Sequence, residues 1–368
     1  MIPLFKPSVT DAEIEAVNRV LHSGWWGLGP ETEKFEQEFA DYVGVEHAVA
    51  VNSATSALEL AARACGIVNG IVVVPALTFI STAQAMQHAG NHVIFADIDR
   101  DDLCMDWEDA NRKLKPVILR PYMYGPAAVV PVWYAGTVVP PFEPQGEWPE
   151  VPIIEDCAHA AGSKGAGHVG WVGCWSFQAV KNLATGDGGM VTTNDPDVAA
   201  KLRAMRWCGI DKSTWERDQG KYGWDYSIPA DGEKMHMNDI TAALGRVQLS
   251  RLDEMNGIRR GIARHYNNSF RNLEWLGIAF PLEYKSSQHL YVVRVQERNR
   301  FIDHMLANGV SAGVHYKPLT HYPHLFPGEH NVPVTEEVWK TLVTLPLYPD
   351  MTEAEIEQVI STVRSFPA

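Results

Sequence analysis

Apolar and polar residues alternate along this chain with two different periods. Residues 10–24 carry apolar side chains three and four positions apart, at Ile14, Val17, Val20 and Leu21. This spacing predicts an amphipathic helix. The helix has its own start and stop signals, since Thr10 and Glu13 form a capping-box pattern and Gly24 follows the last apolar position.

Residues 30–44 repeat the helical period, with Pro30 in the first turn and Phe35, Phe39 and Tyr42 on one face. Further along, short apolar runs alternate with helical segments. The predicted strands are 47–52, 70–75, 92–99, 116–125, 151–160, 174–180 and 188–195, and the predicted helices between them include 53–66 and 80–90. Apolar strands separated by helices predict a mostly parallel sheet covered on both faces. The proline-rich segment 126–152 has no helical period.

The pattern changes after about residue 238. A long helical stretch at 238–270 is followed by a predicted strand at 289–295, a helix at 299–309, a strand at 310–316 and a capped helix at 352–366. We therefore predict an α/β protein with two domains. Residues 1–250 form a large domain around a mostly parallel central sheet, and residues 251–368 form a smaller α+β domain.

Composition narrows the function. The 368 residues are 46% hydrophobic and 21% charged, with a formal net charge of −14. A dispersed negative charge disfavours binding to nucleic acid or to an anionic membrane, so we expect neither as a partner. Five cysteines without a CxxC pair favour a reducing compartment. No apolar run approaches the roughly 20 residues that span a bilayer, and residues 1–17 lack a signal-peptide pattern, so we expect a cytoplasmic protein.

Three short segments carry candidate chemistry. Ser53 and Thr55 lie where a predicted strand gives way to a helix, a geometry that suits a phosphate or an ordinary helix cap. Glu155 and Asp156 end a buried apolar strand, which places an acid at the ligand-binding edge of a parallel sheet or at a helix cap. Lys181 precedes a cluster of glycines at 186–189, where backbone can approach a ligand closely.

Two other segments resemble sites without the context that a site needs. Residues 165–170, GAGHVG, match the dinucleotide pattern GxGxxG but follow a polar stretch and precede a predicted strand. His315, His321 and His324 lie within ten residues, yet neither helical pairing nor a nearby acidic ligand supports a metal. We predict no metal site, and we expect these histidines to bond substrate or to pack in the core.

In order along nearly the whole chain, the sequence resembles the DegT/DnrJ/EryC1/StrS family of sugar aminotransferases, fold-type I enzymes that use pyridoxal 5′-phosphate (PLP). The resemblance rests on segments in register, among them SGWWGLGPETEKFEQEFADYVG, VNSATSALELAA, IEDCAHAAGS, SFQAVKNLATGDGGMV, MNDITAALGRVQL and GVHYKPLTHYP.

The resemblance implies roles for particular residues. Lys181 forms the Schiff base (the internal aldimine) with PLP and acts as general acid and base, and Asp156 pairs with the pyridine nitrogen. The other implied contacts to the cofactor are Phe79 stacked on the ring, His159 at the phenolic oxygen, and the backbone of Ala54 and Thr55 with the Ser176 hydroxyl at the phosphate.

The chain also departs from the family pattern. Lys234 replaces an asparagine that reaches the cofactor phosphate of the neighbouring protomer, and His236 replaces an arginine. A lysine can still serve a phosphate as a point charge. Tyr122 stands at the position that we align with a family histidine before the YG of the fourth strand.

The resemblance implies a homodimer with shared active sites that alternates between PLP and pyridoxamine phosphate (PMP). Glutamate or glutamine is the amino donor and a nucleotide-linked 4-keto-6-deoxyhexose the acceptor. The segment with His315, Tyr316, Lys317 and His321 is expected to contact the sugar nucleotide. A 3-keto sugar, a keto-cyclitol, a sugar dehydratase and a non-catalytic regulator are the alternatives. The dehydratases carry a histidine in place of the lysine, so Lys181 argues against that branch.

Overall fold

The computed structural model describes residues 1–140, 151–220, 223–279 and 286–368. Its α-helices are α1 (Asp11–Ser23), α2 (Pro30–Val43), α3 (Ala54–Ala64), α4 (Ile80–His88), α5 (Trp107–Ile118), α6 (Pro121–Tyr124), α7 (Pro196–Met205), α8 (Thr214–Gln219), α9 (Asp239–Ser250), α10 (Leu252–Phe270), α11 (Arg298–Ala307), α12 (Pro333–Val338) and α13 (Glu353–Arg364). Its strands are β1 (His47–Val51), β2 (Ile71–Pro75), β3 (His92–Ala96), β4 (Ala127–Val129), β5 (Ile154–Asp156), β6 (Val172–Ser176), β7 (Gly189–Thr193), β8 (Leu276–Ile278), β9 (Tyr291–Val295) and β10 (Leu342–Leu345).

The capping signals define α1 as predicted, but its apolar stripe is only partly buried. The Glu13 carboxylate accepts a hydrogen bond from the Thr10 amide at 2.8 Å, and Gly24 ends the helix with φ of 77°. Val20 is buried, whereas Ile14 and Leu21 are 54% and 42% exposed. The helix therefore leaves part of its apolar face uncovered in the single chain.

The large sheet is mostly parallel, as predicted. Four strands lie in the order β1-β7-β6-β5, and three others lie in the order β3-β2-β4. Parallel bridges from Val129 to Ile153 and from Val132 to Asp156 join the two groups. In the described part of the chain β7 alone runs against its neighbours in this sheet, since it pairs antiparallel with both β1 and β6.

The fourth strand of the sheet lies further along the chain than the sequence pattern indicated. The predicted strand at 116–125 is wrong, because those residues complete α5 and form α6. The strand is instead β4, inside the proline-rich segment, and it pairs parallel with β2. Tyr122 consequently lies in α6 with an 85% exposed side chain, so its alignment with a histidine of the fourth strand does not hold. Residues 141–150 of the proline-rich segment lie outside the described residues.

The C-terminal part of the chain has a separate small sheet. Strands β8, β9 and β10 are antiparallel with β9 in the centre, and α10, α11 and α13 pack on them around a buried cluster that includes Ile2 from the N-terminus. The predicted helical stretch at 238–270 is two helices that meet at Arg251. The predicted strand at 310–316 is wrong, since these residues form only isolated bridges. The division at 250/251 stays a prediction.

None of the helices in the described ranges is long and apolar enough to cross a membrane.

Candidate active site

A cavity of about 380 Å³ opens at the carboxyl ends of β5 and β6, beside the first turn of α3. Ligands of open parallel sheets bind at this edge. Most of the predicted cofactor residues meet here, together with two of the predicted substrate residues. The lining includes Ala54, Thr55, Phe79, Asp156, His159, Ser176, Lys181, His315 and Tyr316.

The alternation of side chains along β5 separates two adjacent carboxylates. Asp156 faces the cavity, where its carboxylate accepts hydrogen bonds from the Thr82 hydroxyl at 2.8 Å and the Ala158 amide at 3.1 Å. Glu155 faces the other way and is fully buried. It accepts from the Trp133 indole at 2.7 Å and from three loop amides. Only Asp156 is therefore available to a ligand.

The glycine pattern at 165–170 has a structural role. The amides of Gly167, Val169 and Gly170 donate to the Glu155 carboxylate over 2.7–2.8 Å. These contacts satisfy a buried charge, which is costly to leave without partners. The segment thus folds around a carboxylate of its own chain. No group of three or more potential metal ligands occurs among the described residues.

Lys181 lies in a tight loop directly after β6. Its amide donates to the Gln178 carbonyl at 2.8 Å, and the Ala179 amide donates to the Gly186 carbonyl at 2.8 Å. Gly186 has φ of 88°, which favours glycine. This turn places the lysine side chain in the cavity.

Further along, β7 approaches the start of α3 very closely. A Cβ atom on Gly189 would lie 2.5 Å from the Ser53 carbonyl carbon and 2.8 Å from the Ala54 nitrogen. The glycines after Lys181 therefore serve backbone packing as well as the turn.

Burial shifts the pKa values of the lysine and the aspartate in opposite directions. It lowers the pKa of the Lys181 amine to about 8, against a smaller opposing effect of Asp156. Burial also raises the pKa of the Asp156 carboxyl, and its hydrogen bonds and Lys181 oppose that rise. Desolvation disfavours the charged form of each group. Such shifted groups in a cleft are typical of functional sites.

His159 is held as a neutral imidazole. The Ala135 amide donates to its Nδ1 at 3.3 Å, so Nε2 carries the hydrogen and donates to the Tyr316 hydroxyl oxygen at 2.9 Å. Burial and the nearby Lys181 keep the pKa of His159 well below its usual range. The Tyr316 hydroxyl can then donate its own hydrogen to a third group.

The first turn of α3 provides a site for an anion. The Ser53 side chain caps the helix by accepting from the Ser56 amide at 3.1 Å. In the described part of the chain, the Ala54 and Thr55 amides have no hydrogen-bond partner. Both line the cavity with Ser176. Free amides at a helix N-terminus bind phosphate well.

Several residues of the cavity wall were not assigned to the site from the sequence. Phe5, Gln178 and Asp187 line it together with the expected residues. Phe5 stacks on His289 with ring centroids 5.7 Å apart and meets His315 edge-on at 5.6 Å. It belongs to an extended N-terminal segment that has no periodicity, so no local pattern identified it. Asp187 is the one polar residue within the glycine cluster at 186–189, and that position was the signal that could have identified it.

Three predicted residues lie outside this cavity. Lys234 is exposed, with its amine 5.9 Å from the centre of the Trp207 ring. Lys317 is exposed over the Tyr322 ring at 5.0 Å. His321 bonds Glu336 at 2.8 Å through Nε2. Their predicted contacts to phosphate or substrate stay predictions. Phe79 does line the cavity and is 55% exposed at its mouth.

The arrangement of sheet, lysine and carboxylate is that of a fold-type I PLP enzyme. The chain belongs to the DegT/DnrJ/EryC1/StrS aminotransferase family, whose model matches residues 7–364. It is 35% identical over 388 residues to the spore coat polysaccharide biosynthesis protein SpsC of Bacillus subtilis, which covers 99% of this chain and 96% of that protein. The protein is therefore an aminotransferase.

Solved structures agree over the full length. A putative sugar aminotransferase from Streptococcus pneumoniae in its PMP form is 28% identical, with a TM-score of 0.87 and coverage of 99% of this chain and 98% of that one. The same enzyme is also known in a PLP form. The aminotransferase TlmJ from Streptoalloteichus hindustanus is 31% identical, with a TM-score of 0.86 and the same coverage. PLP is accordingly the cofactor of the class to which this chain belongs.

Proposed function

We propose that this chain transfers an amino group from glutamate or glutamine to a nucleotide-linked keto-sugar, a 4-keto-6-deoxyhexose. The observation that carries the proposal is the pairing of Lys181 with the buried Asp156 in one cavity. Its relatives support a sugar as acceptor. They include the sugar aminotransferase of Streptococcus pneumoniae and Helicobacter pylori PseC, an aminotransferase of pseudoaminic acid biosynthesis.

The residues of the cavity fit PLP at both ends. The unbonded amides of Ala54 and Thr55, with the Ser176 hydroxyl, suit a phosphate. Asp156 is buried against neutral donors, so a pyridinium nitrogen would supply a charged partner for it. When bound, PLP supplies an electron sink for the carbanion that develops on the substrate.

Lys181 is the proton carrier in this account. Because burial lowers the pKa of its amine to about 8, the neutral fraction near neutral pH is far larger than that of an ordinary lysine, whose pKa is about 10.4. A general base works best when its pKa lies near the working pH. Lys181 would therefore take the proton from the substrate carbon and deliver it to the cofactor.

His159 and Tyr316 provide neutral hydrogen bonds beside the lysine. Burial raises the pKa of the Tyr316 hydroxyl above its usual range, so Tyr316 donates rather than ionises. His159 orients that hydroxyl through Nε2. The pair adds no charge that would compete with Asp156.

The substrate enters past Phe79 and the segment that follows His315. Tyr316 and His315 line the cavity, and the exposed Lys317 follows them directly. We infer that Lys317 meets the diphosphate and that His321, after release from Glu336, meets the sugar nucleotide. A lysine suits a diphosphate as a compact point charge.

We further propose a homodimer in which Lys234 reaches the cofactor phosphate of the neighbouring protomer. Exposed apolar side chains on the same chain support a partner surface, among them Trp26 and Ile228 at 54% and 64% exposure. We place the enzyme in the cytoplasm, because its odd number of cysteines suits a reducing compartment.

The acceptor is tested with the purified enzyme loaded as PMP and then separated from free cofactor. Nucleotide-linked 4-keto and 3-keto sugars and keto-cyclitols are offered singly, and conversion of PMP to PLP is followed by its absorption. We expect the 4-keto-6-deoxy sugar nucleotides to give the fastest conversion. A response confined to the 3-keto sugars or to the cyclitols would contradict the proposed acceptor, and no response to any ketone would contradict the aminotransfer itself.

A further inference from the structure

A buried polar network surrounds Asn182, the residue that follows Lys181 in the chain. Asn182 is 3% exposed, and its side-chain amide donates to Asn256 Oδ1 at 2.6 Å and to the Ser287 carbonyl at 2.8 Å. Both amide hydrogens of Asn182 are therefore used. The side-chain oxygen of Asn182 is left as an acceptor, and its partner is His289 Nδ1 at 2.8 Å.

This pattern fixes the hydrogen position on His289. Because Asn182 Oδ1 can only accept, His289 donates from Nδ1 and its Nε2 carries no hydrogen. Burial keeps the pKa of His289 well below its usual range, so the ring is neutral. Asn256 in turn donates to the Ala161 carbonyl at 3.0 Å. The side chain of Asn182 is thus held at three points by groups from distant parts of the chain.

His289 also contacts His159, a residue of the cavity wall. Its ring centroid lies 4.4 Å from that of His159. Its amide donates to the Ala135 carbonyl at 3.0 Å, and the Ala135 amide bonds His159 Nδ1. Ala135 has φ of 54°, a left-handed conformation that is uncommon for alanine. The backbone of Ala135 therefore fixes the positions of both histidines.

From this geometry we propose that His289 is a positioning residue for the aminotransferase reaction. By donating a hydrogen bond to Asn182, His289 keeps the neighbouring Lys181 in its place in the cavity. The inference rests on the proposed role of Lys181. His289 lies two residues before β9 of the small sheet, whereas Lys181 lies in the loop after β6 of the large sheet. The hydrogen bond from His289 to Asn182 consequently connects the small sheet to the lysine loop.

Substitutions at His289 separate the effect of the hydrogen bond from the effect of the ring. His289→Phe keeps a ring against His159 and Phe5 but removes the Nδ1 donor. His289→Asn removes the ring but places an amide nitrogen where Nδ1 lies, so it can still donate to Asn182. His289→Gln places its amide further out and serves as the second donor-deficient variant if His289→Phe does not fold. His304→Phe is the matched control, because it removes another imidazole bond, to the Thr362 carbonyl, in the C-terminal part of the chain.

The first measurement uses the protein without cofactor. Acetic anhydride labels the neutral amine of Lys181, and peptide mass spectrometry gives the labelled fraction at each pH. The titratable groups that line the cavity with this amine or interact with it are Asp156, His159, Asp187, His289, His315 and Tyr316. His289 is neutral, so its replacement removes no charge. A change in the pH of half-maximal labelling therefore reports a change in the position of the Lys181 amine.

We expect a labelling midpoint near 8 for the parent protein, as burial of the Lys181 amine implies. In His289→Phe and His289→Gln the midpoint should rise by about one unit or more toward the ordinary lysine value of about 10.4. With His289→Asn and His304→Phe it should stay at the parent value. In the loaded enzyme, the two donor-deficient variants should lose at least about tenfold in kcat, the scale of a misplaced catalytic group, with the KM for the amino donor nearly unchanged.

The outcomes are distinct. A folded donor-deficient variant with the midpoint and kcat of the parent would overturn the role of His289. A loss of kcat in His289→Asn equal to that in His289→Phe would also overturn it. Failure of the parent protein to attach PLP at Lys181 would instead overturn the proposed function, whatever the labelling shows.

Discussion

At the scale of single residues, the site depends on two groups whose burial disfavours their charges. The Lys181 amine has a pKa lowered to about 8 and the Asp156 carboxyl has a raised pKa. Each charge partly offsets the cost of the other. A cofactor that brings a pyridinium beside Asp156 would free Lys181 from that partnership. The burial that disfavours both charged forms therefore also lowers the pKa of the Lys181 amine toward the range in which it can accept and release a proton.

Replacement of Asp156 by asparagine tests the carboxylate directly. Asp156→Asn keeps the shape and the contact to Thr82 but removes the negative charge beside the ring nitrogen. We expect PLP still to bind, as its absorption on the purified protein would show, while kcat falls by at least about a hundredfold, the scale of one lost electrostatic partner. Near-normal kcat in this variant would mean that another group serves the ring nitrogen.

The sequence predicted those residues whose signal is local. Lys181 precedes a glycine cluster and Asp156 ends an apolar strand, and both patterns can be read within a few positions. Phe5 and His289 were missed because their contacts join residues far apart in the chain, such as His289 with Asn182. No period or motif encodes such a pairing, and only the fold brings the residues together.

At the scale of elements, the capped helices were the most predictable features. The boxes at Thr10–Glu13 and Thr352–Glu355 begin α1 and α13 as expected. The error at 116–125 has a physical reason. A proline usually breaks a helix, so Pro116 argued against one, yet it lies inside α5. Leu114 and Val117 of α5 are buried, so packing on the sheet outweighs the lost hydrogen bond.

The contact between β7 and α3 gives a prediction at this scale. Gly189→Ala would push a Cβ into Ser53 and Ala54, and so displace the amides that suit the phosphate. Loss of one hydrogen bond to a charged group is worth about 1.5–3 kcal/mol, so PLP affinity measured by equilibrium titration should fall at least about tenfold.

Gly261→Ala is the matched control for this substitution. Gly261 lies in α10 with open space around its Cβ position. The alanine should leave PLP affinity unchanged and raise the free energy of unfolding by up to about 1 kcal/mol through helix propensity. If Gly189→Ala binds PLP as tightly as the control does, the first turn of α3 is not the phosphate site.

At the scale of the whole molecule, the central question is whether two chains complete each site. The exposed Lys234 lies outside the cavity of its own chain, and exposed apolar residues such as Trp26 offer a surface for a partner. In a two-fold dimer each chain contributes the same surface to the other. In the dimer that we propose, Lys234 acts on the partner's site.

Mixing two inactive variants distinguishes the shared site from a self-contained one. Lys181→Ala removes the lysine of one site, and Lys234→Ala removes the cross-subunit cation; both are assayed at limiting PLP. Equal mixing under conditions that exchange subunits should restore about a quarter of the parent activity, because half of the dimers then hold one intact site. Activity no greater than the sum of the separate variants would place Lys234 outside the neighbouring site.

The attachment of the cofactor tests the whole account most directly. The protein is saturated with PLP, reduced with borohydride, digested and mapped by mass spectrometry. The account predicts a single pyridoxyl group on the peptide that contains Lys181, and none in Lys181→Ala under the same treatment. A pyridoxyl group on any other lysine of the parent protein, or none at all, would contradict it.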